Sequence, residues 1–387
     1  MTDEMAASMA ASVWPSCCRL KRLLPLIALV AGLWIWFCTS SLSSQVSPIS
    51  HRHKHPLPLR PEAHAVSRVT NKSRKTIVLW TPFFSQENYV LPLDRYSCLH
   101  TNCDFTADRS LLSEADAVMF HVRDTNVNDL PSFRRGNQRW ILLHHEAPPN
   151  TPVQVMQALN DRINWTVTYR SDSDVVLTPK YRRRLVPINQ TQSINTSSKR
   201  RLVAWFVSNC KTDSRREDFV IDLRKTVTID IFGSCGSYSC QPKMSHKCYE
   251  TIEREYFFYL SLENSICKDY VTEKLFNILD YNVIPIVFGK VGQENFLPPR
   301  SFIDADDFPS TAALGQHLLR LAKDHKAYSD FFRWRREYEM QAYQHYACQI
   351  CSKLNDERQE SKTWSNLSYW WFEESRCRSW VPETGYE

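Results

Sequence analysis

The sequence predicts an α/β protein of two halves that follows one N-terminal transmembrane helix. Three observations lead to this prediction: an uncharged apolar stretch near the N-terminus, short β-branched or aromatic runs that alternate with helical patterns, and a polar stretch at residues 189–201. The chain has 387 residues, of which 43% are hydrophobic and 23% are charged, and this composition excludes a disordered or collagen-like protein.

The net charge gives little support to a nucleic-acid partner. Lys and Arg number 48 against 42 Asp and Glu, which leaves +6. The basic residues are scattered along the chain, whereas nucleic-acid binders cluster them on one face. We therefore expect no nucleic acid and an anionic small ligand at most.

The apolar stretch predicts a signal anchor. Residues 23–38 carry no charge, and the uncharged stretch continues through residue 50. Basic residues precede the stretch, so the short tail is expected to stay in the cytosol and the rest to lie across the membrane, as in a single-pass type II protein. A cleaved signal peptide is the alternative, with residues 39–44 as a cleavage region, but the bulky residues 34–37 favour an uncleaved anchor.

Composition divides the chain into five predicted segments. Ser, Pro, His and basic residues dominate after the anchor, which is typical of a stem. The segments are a cytosolic tail (1–22), a transmembrane anchor (23–42), a stem (43–74), an N-terminal α/β domain (75–198), and a C-terminal α/β domain with the C-terminal segment (199–387).

Cysteines and glycosylation sequons predict that the globular part lies in the secretory lumen or outside the cell. Ten cysteines follow the anchor. Cys348 and Cys351 form a CxxC, and because no second CxxC occurs, a structural disulfide role is favoured over zinc or redox chemistry. The candidate glycosylation sites are Asn71, Asn164, Asn189, Asn195 and Asn366.

In the first half, the predicted strands cover residues 76–80, 115–121 and 140–143. The third strand runs directly into His144, His145 and Glu146, followed by two prolines. Ligands of open α/β sheets collect beyond the carboxyl ends of strands, so these polar side chains are well placed for chemistry.

The second half contains the most informative segment, YFFYLSLENSICKDYVTEKLFNILDYNVIPIVFG, at residues 256–289. It predicts a βαβ unit in which Asp269 caps the helix and Thr272, Glu273 and Lys274 occupy its first turns. A helix N-terminus with a lysine favours a phosphate. The alternative is a capping motif with Glu273 and Lys274 merely solvated. Further strands are predicted at 202–207 and 227–232, and a helix near Arg215 and Arg216.

This segment resembles the signature of the α-1,3-fucosyltransferases, glycosyltransferase family 10, approximately FxLxFENSxxxDYxTEK followed by VPVVxG. The resemblance implies two Rossmann-like domains in a GT-B arrangement on a Golgi anchor, with the first half on the acceptor side and the second binding GDP-fucose. Other similar segments are CDFTADRSLLSEADAVMFHVRD, QRWILLHHEAPPN, TYRSDSDVV, AWFVSNCKTDSRR, DIFGSCG, DDFPS, FFRWR and CQIC.

The resemblance also implies donor contacts at Arg216, Asn264, Tyr270, Glu273 and Lys274. Arg216 and Lys274 suit the diphosphate of the leaving GDP. Glu273 suits the sugar hydroxyls or the positive charge that develops on the sugar ring. Asn264 and Tyr270 offer hydrogen bonds and a stacking face.

Glu146 matches the acceptor-side carboxylate and is expected to be the general base of an inverting transfer from GDP-β-L-fucose. Three departures from the family pattern occur, and none removes a polar group with an assigned role. They are Leu262 in place of the phenylalanine of FENS, the larger residues 280–282 before the last strand, and the histidine pair before Glu146.

No metal site and no required cofactor are predicted. Asp172 with Asp174, and Asp304 with Asp306, spell DxD. The family uses positive side chains in place of a metal, so the first pair is interpreted as structural and the second as a loop. Weak stimulation by manganese remains compatible with this prediction.

The predicted activity is transfer of L-fucose in α-1,3 linkage to N-acetylglucosamine of glycoprotein or glycolipid glycans. Several segments resemble the lactosamine-directed branch of the family more closely, which favours lactosamine-type acceptors. Arg123 lies at a position that, in the family, influences the type of acceptor. Core fucosylation of the innermost N-acetylglucosamine of N-glycans is one alternative. A non-catalytic lumenal glycan-binding receptor is another, which the retained Glu146, Arg216 and Lys274 oppose. No GxSxG or HExxH occurs, so nothing supports a lipase or metalloprotease.

Overall fold

The computed structural model describes residues 74–89, 91–96, 98–188, 194–289, 296–341, 344–356 and 362–382. The predicted cytosolic tail, the anchor, nearly all of the stem, and the sequons at Asn71 and Asn189 lie outside these ranges. Within them, no helix has the length and apolar character needed to cross a bilayer.

The first half is built on a six-stranded parallel sheet with the strand order β2-β1-β3-β4-β5-β6. The three strands predicted from the sequence match β1, β3 and β4 to within two residues. The strands are β1 (Lys75–Leu79), β2 (Cys103–Thr106), β3 (Ala117–His121), β4 (Arg139–Leu143), β5 (Trp165–Thr168) and β6 (Val175–Val176), and helix α1 is Val153–Leu159.

The second half is built on a five-stranded parallel sheet with the order β12-β11-β10-β8-β9. A short antiparallel pair, β7 with β13, lies outside both sheets. The strands are β7 (Tyr181–Arg183), β8 (Arg201–Phe206), β9 (Ile229–Phe232), β10 (Tyr256–Leu260), β11 (Ile284–Val287), β12 (Ile303–Asp304) and β13 (Tyr338–Met340). The helices are α2 (Arg216–Leu223), α3 (His246–Glu255), α4 (Glu273–Leu279), α5 (Thr311–Leu321), α6 (His325–Asp330), α7 (Trp334–Glu337), α8 (Tyr346–Asn355) and α9 (Leu367–Phe372).

Both faces of the first sheet are covered. Trp140 and Leu142 of β4 pack in one apolar cluster, while Ile141 and Leu143 pack in the other. This explains why β4 is apolar without the alternation of a half-exposed strand. Two parallel sheets with helices on their faces confirm the α/β class expected from the sequence.

The C-terminal helices return to the first half. Helix α8 buries Tyr346, Ile350 and Cys351 against the first sheet, and helix α9 buries Trp370 and Trp371 against its other face. The segment after residue 345 therefore completes the core of the N-terminal half, although the sequence grouped it with the C-terminal domain.

Five disulfides connect the ten described cysteines. Cys348 and Cys351 do not pair with each other, and each instead bonds a cysteine of the first half. The structural role predicted for the CxxC is confirmed. The pairs are Cys98–Cys348, Cys103–Cys351, Cys210–Cys235, Cys240–Cys248 and Cys267–Cys377.

Candidate active site

A cavity of about 260 Å³ lies beyond the carboxyl ends of β8 and β9 in the second sheet. Its walls include Ser208 and Asn209, which follow β8, and Gly233, which follows β9. Gly233 has φ +103°, and an added Cβ would lie 2.4 Å from the carbonyl oxygen of Val207. Only glycine therefore fits this turn, which lets the two loops approach closely.

The cavity is lined by aromatic and by polar side chains. Phe206 packs against Phe232, Tyr249 and Tyr259, with ring centroids 5.1, 5.7 and 5.7 Å away. The polar lining includes Arg216, Asn264, Glu273 and Lys274, four of the five predicted donor residues. A mixture of apolar lining and a few polar groups is typical of a small-molecule site.

Arg216 is the first residue of α2 and is 4% exposed. Its Nη1 donates to the carbonyl of Leu262 at 2.8 Å, and its Nη2 donates to the carbonyl of Asn209 at 3.0 Å. The nearest carboxylate, Glu217, lies 3.4 Å from Nε. Because neutral carbonyls hold most of the guanidinium, much of its positive charge remains effective toward the cavity.

Lys274 lies between two carboxylates. Its Nζ is 2.9 Å from Glu263 Oε2 and 3.1 Å from Glu273 Oε1, and it donates to Thr272 Oγ1 at 2.9 Å. Glu263 in turn accepts from the backbone N–H of Thr272 at 2.8 Å. Glu263 therefore fixes the ammonium group, a role that the sequence did not assign although the residue is part of the FENS-like motif.

The charges of this cluster stabilise one another. Burial acts to lower the pKa of Lys274, but Glu263 and Glu273 outweigh it, so the net pKa is raised. Burial acts to raise the pKa of Glu273, but Lys274 and the hydrogen bonds of the cluster outweigh it, so the net pKa is lowered. Both groups are charged at neutral pH, and the positive charge of Lys274 is the one that can stabilise a diphosphate.

Asn264 and Tyr270 differ in their positions. The Oδ1 atom of Asn264 is buried and has no hydrogen-bond partner in the described part of the chain. Tyr270 does not line the large cavity; it is 4% exposed and its ring packs edge-on against Tyr169 at 4.7 Å. Burial raises the pKa of Tyr270, and the carboxylates of Glu263 and Glu146 add to the rise. Carboxylates from both halves therefore influence the Tyr270 hydroxyl.

The helix cap predicted at Asp269 is wrong. Asp269 has φ +63° and is fully buried, and its carboxylate accepts from the N–H and the hydroxyl of Ser171 at 3.0 and 2.5 Å. Helix α4 begins only at Glu273, after Thr272. Asp269 instead joins the loop at residues 261–272, named the donor loop after the donor contacts predicted there, to the first half.

Glu146 follows β4 on a turn that other groups hold in place. It is half-buried and makes no hydrogen bond or ion pair with the residues that the structure describes. On one side, the backbone N–H of His144 donates to the carbonyl of Val167 at 3.0 Å. On the other side, Asn150 Nδ2 donates to Ser265 Oγ at 3.3 Å, which ties the turn to the donor loop.

Neither histidine before Glu146 is an evident proton carrier. His144 is fully buried, with Nε2 2.8 Å from Thr151 Oγ1, and burial first of all lowers its pKa well below the ordinary value. Burial, with repulsion from His121 and His345, lowers the pKa of His145 to about 4. Both rings are neutral at pH 7, but rings with so low a pKa are weak proton acceptors, and His144 is fully enclosed by protein.

Arg123 follows β3, the strand that pairs with β4. It is exposed, and its guanidinium carbon is 5.3 Å from the centroid of the Phe84 ring. The neighbouring Asp124 bonds His121 Nδ1 at 2.5 Å, and the pKa of His121, lowered mainly by burial, is partly raised by Asp124 and Glu146. The residue predicted to influence acceptor choice therefore lies near the candidate base.

The two carboxylates of the DxD pair in the first half form ion pairs with basic side chains of the protein. Asp172 pairs with the buried Arg170 at 2.7 Å, and Asp174 pairs with Lys362 at 2.6 Å. In the parts of the chain that are described, no group of three or more His, Cys, Asp or Glu side chains is arranged to hold a metal ion.

Three sequons lie in described segments. Asn195 is exposed, and its side chain accepts from the N–H of Ser197 at 2.9 Å. Asn164 is 1% exposed, and its Nδ2 donates to the carbonyl of Lys362 at 2.6 Å, so a glycan there requires the segment around Lys362 to move. Asn366 immediately precedes α9 and is exposed.

Two family descriptions match the chain, one in each half. Residues 72–181 match "Fucosyltransferase, N-terminal", and residues 196–370 match "Glycosyltransferase family 10 (fucosyltransferase) C-term". A solved structure, "Crystal Structure of alpha1,3-Fucosyltransferase with GDP", is similar with a TM-score of 0.49 and 14% identity, covering 75% of this chain and 92% of that one.

Curated relatives carry the assignment further. Alpha-(1,3)-fucosyltransferase C of Drosophila melanogaster is 33% identical over 346 residues, covering 80% of each chain. Glycoprotein 3-alpha-L-fucosyltransferase A of the same organism is 37% identical, covering 73% of this chain and 57% of its own length. Human 3-galactosyl-N-acetylglucosaminide 4-alpha-L-fucosyltransferase FUT3 is 38% identical, covering 66% of this chain and 72% of its own. With both halves matched in order, the chain belongs to glycosyltransferase family 10, the fucosyltransferases.

Proposed function

We propose that this protein transfers L-fucose from GDP-β-L-fucose to N-acetylglucosamine of glycan acceptors in α-1,3 linkage, with inversion at the fucose carbon. One observation carries the proposal. A cavity lined by the buried Arg216 and by Lys274 lies at the carboxyl ends of strands in the second sheet. At the carboxyl end of a strand in the first sheet lies Glu146, a carboxylate without a protein partner among the described residues.

The donor half stabilises the departing GDP. As the bond between the fucose carbon and the phosphate oxygen breaks, negative charge grows on the diphosphate, and Arg216 and Lys274 line the cavity as cations, together with Lys243. Glu273 faces the same cavity and suits the fucose hydroxyls or the positive charge on the ring. The unpartnered Oδ1 of Asn264 is an available acceptor for a donor hydroxyl.

The acceptor half supplies the base. The attacking sugar hydroxyl forms the new bond to fucose while its proton passes to the carboxylate of Glu146, and GDP leaves from the opposite face. Asn150 ties this turn to the donor loop at Ser265, so the base and the donor site keep a fixed relation. Tyr270, placed between the halves, is proposed as a support of the donor loop.

We further propose that no metal is required and that the enzyme is a Golgi type II membrane protein. The ion pairs of Asp172 and Asp174 support the first point, because these carboxylates already have cationic partners. The apolar residues 23–42 and the ten cysteines support the second.

The acceptor is proposed to be of the lactosamine type. Relatives at similar identity are named for N-acetylglucosaminide acceptors and for glycoproteins, so core fucosylation is the rival. Purified full-length protein is to be incubated with GDP-fucose in two separate reactions, one with N-acetyllactosamine and one with an N-glycan core as the acceptor. Released GDP and product mass spectra are to be measured. GDP release with a fucosylated lactosamine supports the proposal; product only on the core supports the rival; binding without turnover supports a receptor.

A further inference from the structure

Phe84 is an exposed apolar residue with an unusual backbone conformation. Its φ is +49°, and that of the following Ser85 is +63°. The left-handed region is uncommon for residues other than glycine and is a true outlier for a bulky side chain. Such strain persists only where surrounding groups enforce it, and it is concentrated at binding and active sites.

Asp124 enforces this conformation. Its carboxylate accepts from the backbone N–H of Phe84 at 2.8 Å and from that of Ser85 at 3.0 Å. On its other side it bonds His121 Nδ1 at 2.5 Å, and His121 is 3% exposed at the end of β3. The backbone N–H of His121 donates to Thr81 Oγ1 at 2.8 Å. The turn is thus tied at two points to the carboxyl end of the first sheet.

The result is an aromatic ring held open to solvent at the acceptor side. The Phe84 ring is 42% exposed although its centroid lies 4.7 Å from that of His121 and 6.1 Å from that of His145. Arg123 places its guanidinium 5.3 Å from the ring centroid. Phe84 is not among the residues that line the donor cavity, and His121 is close enough to Glu146 for their charges to interact.

We propose that the exposed surface of the Phe84 ring is a stacking surface for one sugar ring of the acceptor glycan, and that the Arg123 guanidinium beside it bonds sugar hydroxyls. A pyranose has an apolar face of C–H bonds and a polar rim of hydroxyls, and an exposed ring beside a guanidinium matches both. This inference rests on the proposed function, because it takes Glu146 as the base that marks the acceptor side.

The chain offers a matched control at Phe133. Its ring is 52% exposed, and it lies in the same half. Its neighbour Arg135 donates to the carbonyl of Ala115, just before β3 begins, so Phe133 lies near the amino ends of the strands. Phe84 lies at the opposite side of the sheet, near the carboxyl ends of the strands.

The test compares Phe84→Ala, Phe84→Leu, Phe84→Tyr and Phe133→Ala in the full-length chain. Binding of N-acetyllactosamine is to be followed by saturation-transfer NMR, and KM values for N-acetyllactosamine and GDP-fucose by transfer kinetics. We expect the Ala and Leu variants at position 84 to bind the disaccharide about tenfold more weakly. Their KM for GDP-fucose should be unchanged, and Phe84→Tyr and Phe133→Ala should behave as wild type.

Two results overturn the proposal: wild-type affinity in both Phe84→Ala and Phe84→Leu, or an equal loss in Phe133→Ala. The binding readout separates this inference from the proposed function. If the wild type binds N-acetyllactosamine through Phe84 but transfers no fucose, the stacking surface stands and the activity is wrong. If the wild type transfers fucose and the position-84 variants are unaffected, the activity stands and the stacking surface is wrong.

Discussion

Removing the ammonium group of Lys274 should damage donor use more than the loss of one surface charge. Lys274 is the cation between Glu263 and Glu273, at 2.9 and 3.1 Å. Without the ammonium group, the negative charges of Glu263 and Glu273 are no longer neutralised and repel the diphosphate. Loss of one preorganised electrostatic contact costs about 3 kcal/mol at the transition state, or about 100-fold in rate. We therefore expect Lys274→Ala to lower kcat/KM for GDP-fucose by about 100-fold.

A second variant tests whether the uncompensated carboxylates contribute. Glu263→Gln added to Lys274→Ala removes one negative charge but keeps an oxygen that accepts from the N–H of Thr272. The double variant should recover about fivefold in KM for GDP-fucose, which corresponds to a coupling of about 1 kcal/mol.

The measurement is steady-state GDP release at varied GDP-fucose, with circular dichroism to confirm folding. Lys225→Ala is the control, because Lys225 also pairs with a carboxylate but its side chain is 74% exposed. Wild-type kinetics in folded Lys274→Ala refute the donor-site assignment. A double variant no better than the single one refutes the carboxylate effect.

Three further predictions concern the base, the metal and pH. Glu146→Gln should leave the KM for GDP-fucose nearly unchanged while transfer falls by about 100-fold; a fully active variant moves the base elsewhere. Transfer should persist in excess EDTA, and a complete loss that manganese reverses points instead to Asp172 and Asp174. The folded pKa of His145, about 4, lies below its ordinary value of 6.5, so its contribution to stability is complete above pH 6.5 and is lost as the pH falls toward 4. In thermal melts, His145→Leu should flatten the decline of Tm over that window, and an unchanged slope contradicts the assignment.

The sequence predicted the elements that its local pattern determines. Strand β4 is apolar from Trp140 to Leu143 and is followed by Glu146, and the βαβ unit around Lys274 has the strand, helix and strand in the expected order. Short strands such as β6, with two residues, carry too little pattern to be recognised. The helix-cap role predicted for Asp269 was wrong because residue types that cap helices also make contacts between distant segments. Only the fold determines which of the two roles such a residue has.

Other features depend on tertiary structure alone. Helix α8 has an apolar face, but nothing in that face specifies which sheet it covers. Cysteine spacing does not determine disulfide pairing, so the partners of Cys348 and Cys351 could not be derived. The left-handed backbone of Phe84 has no local signal either, because Asp124, forty residues later, enforces it.

The pairing of the last helices with the first sheet has a consequence for biosynthesis. Cys103 and Cys351 are separated by 248 residues. At about 5–20 residues per second, the ribosome takes roughly 12–50 s to deliver the second cysteine after the first. During that interval the first sheet lacks α8 and α9, and the apolar surface that these two helices cover is open to chaperones. Completion of the core of the first half is therefore one of the last events in the production of the enzyme, although its strands are the first to be made.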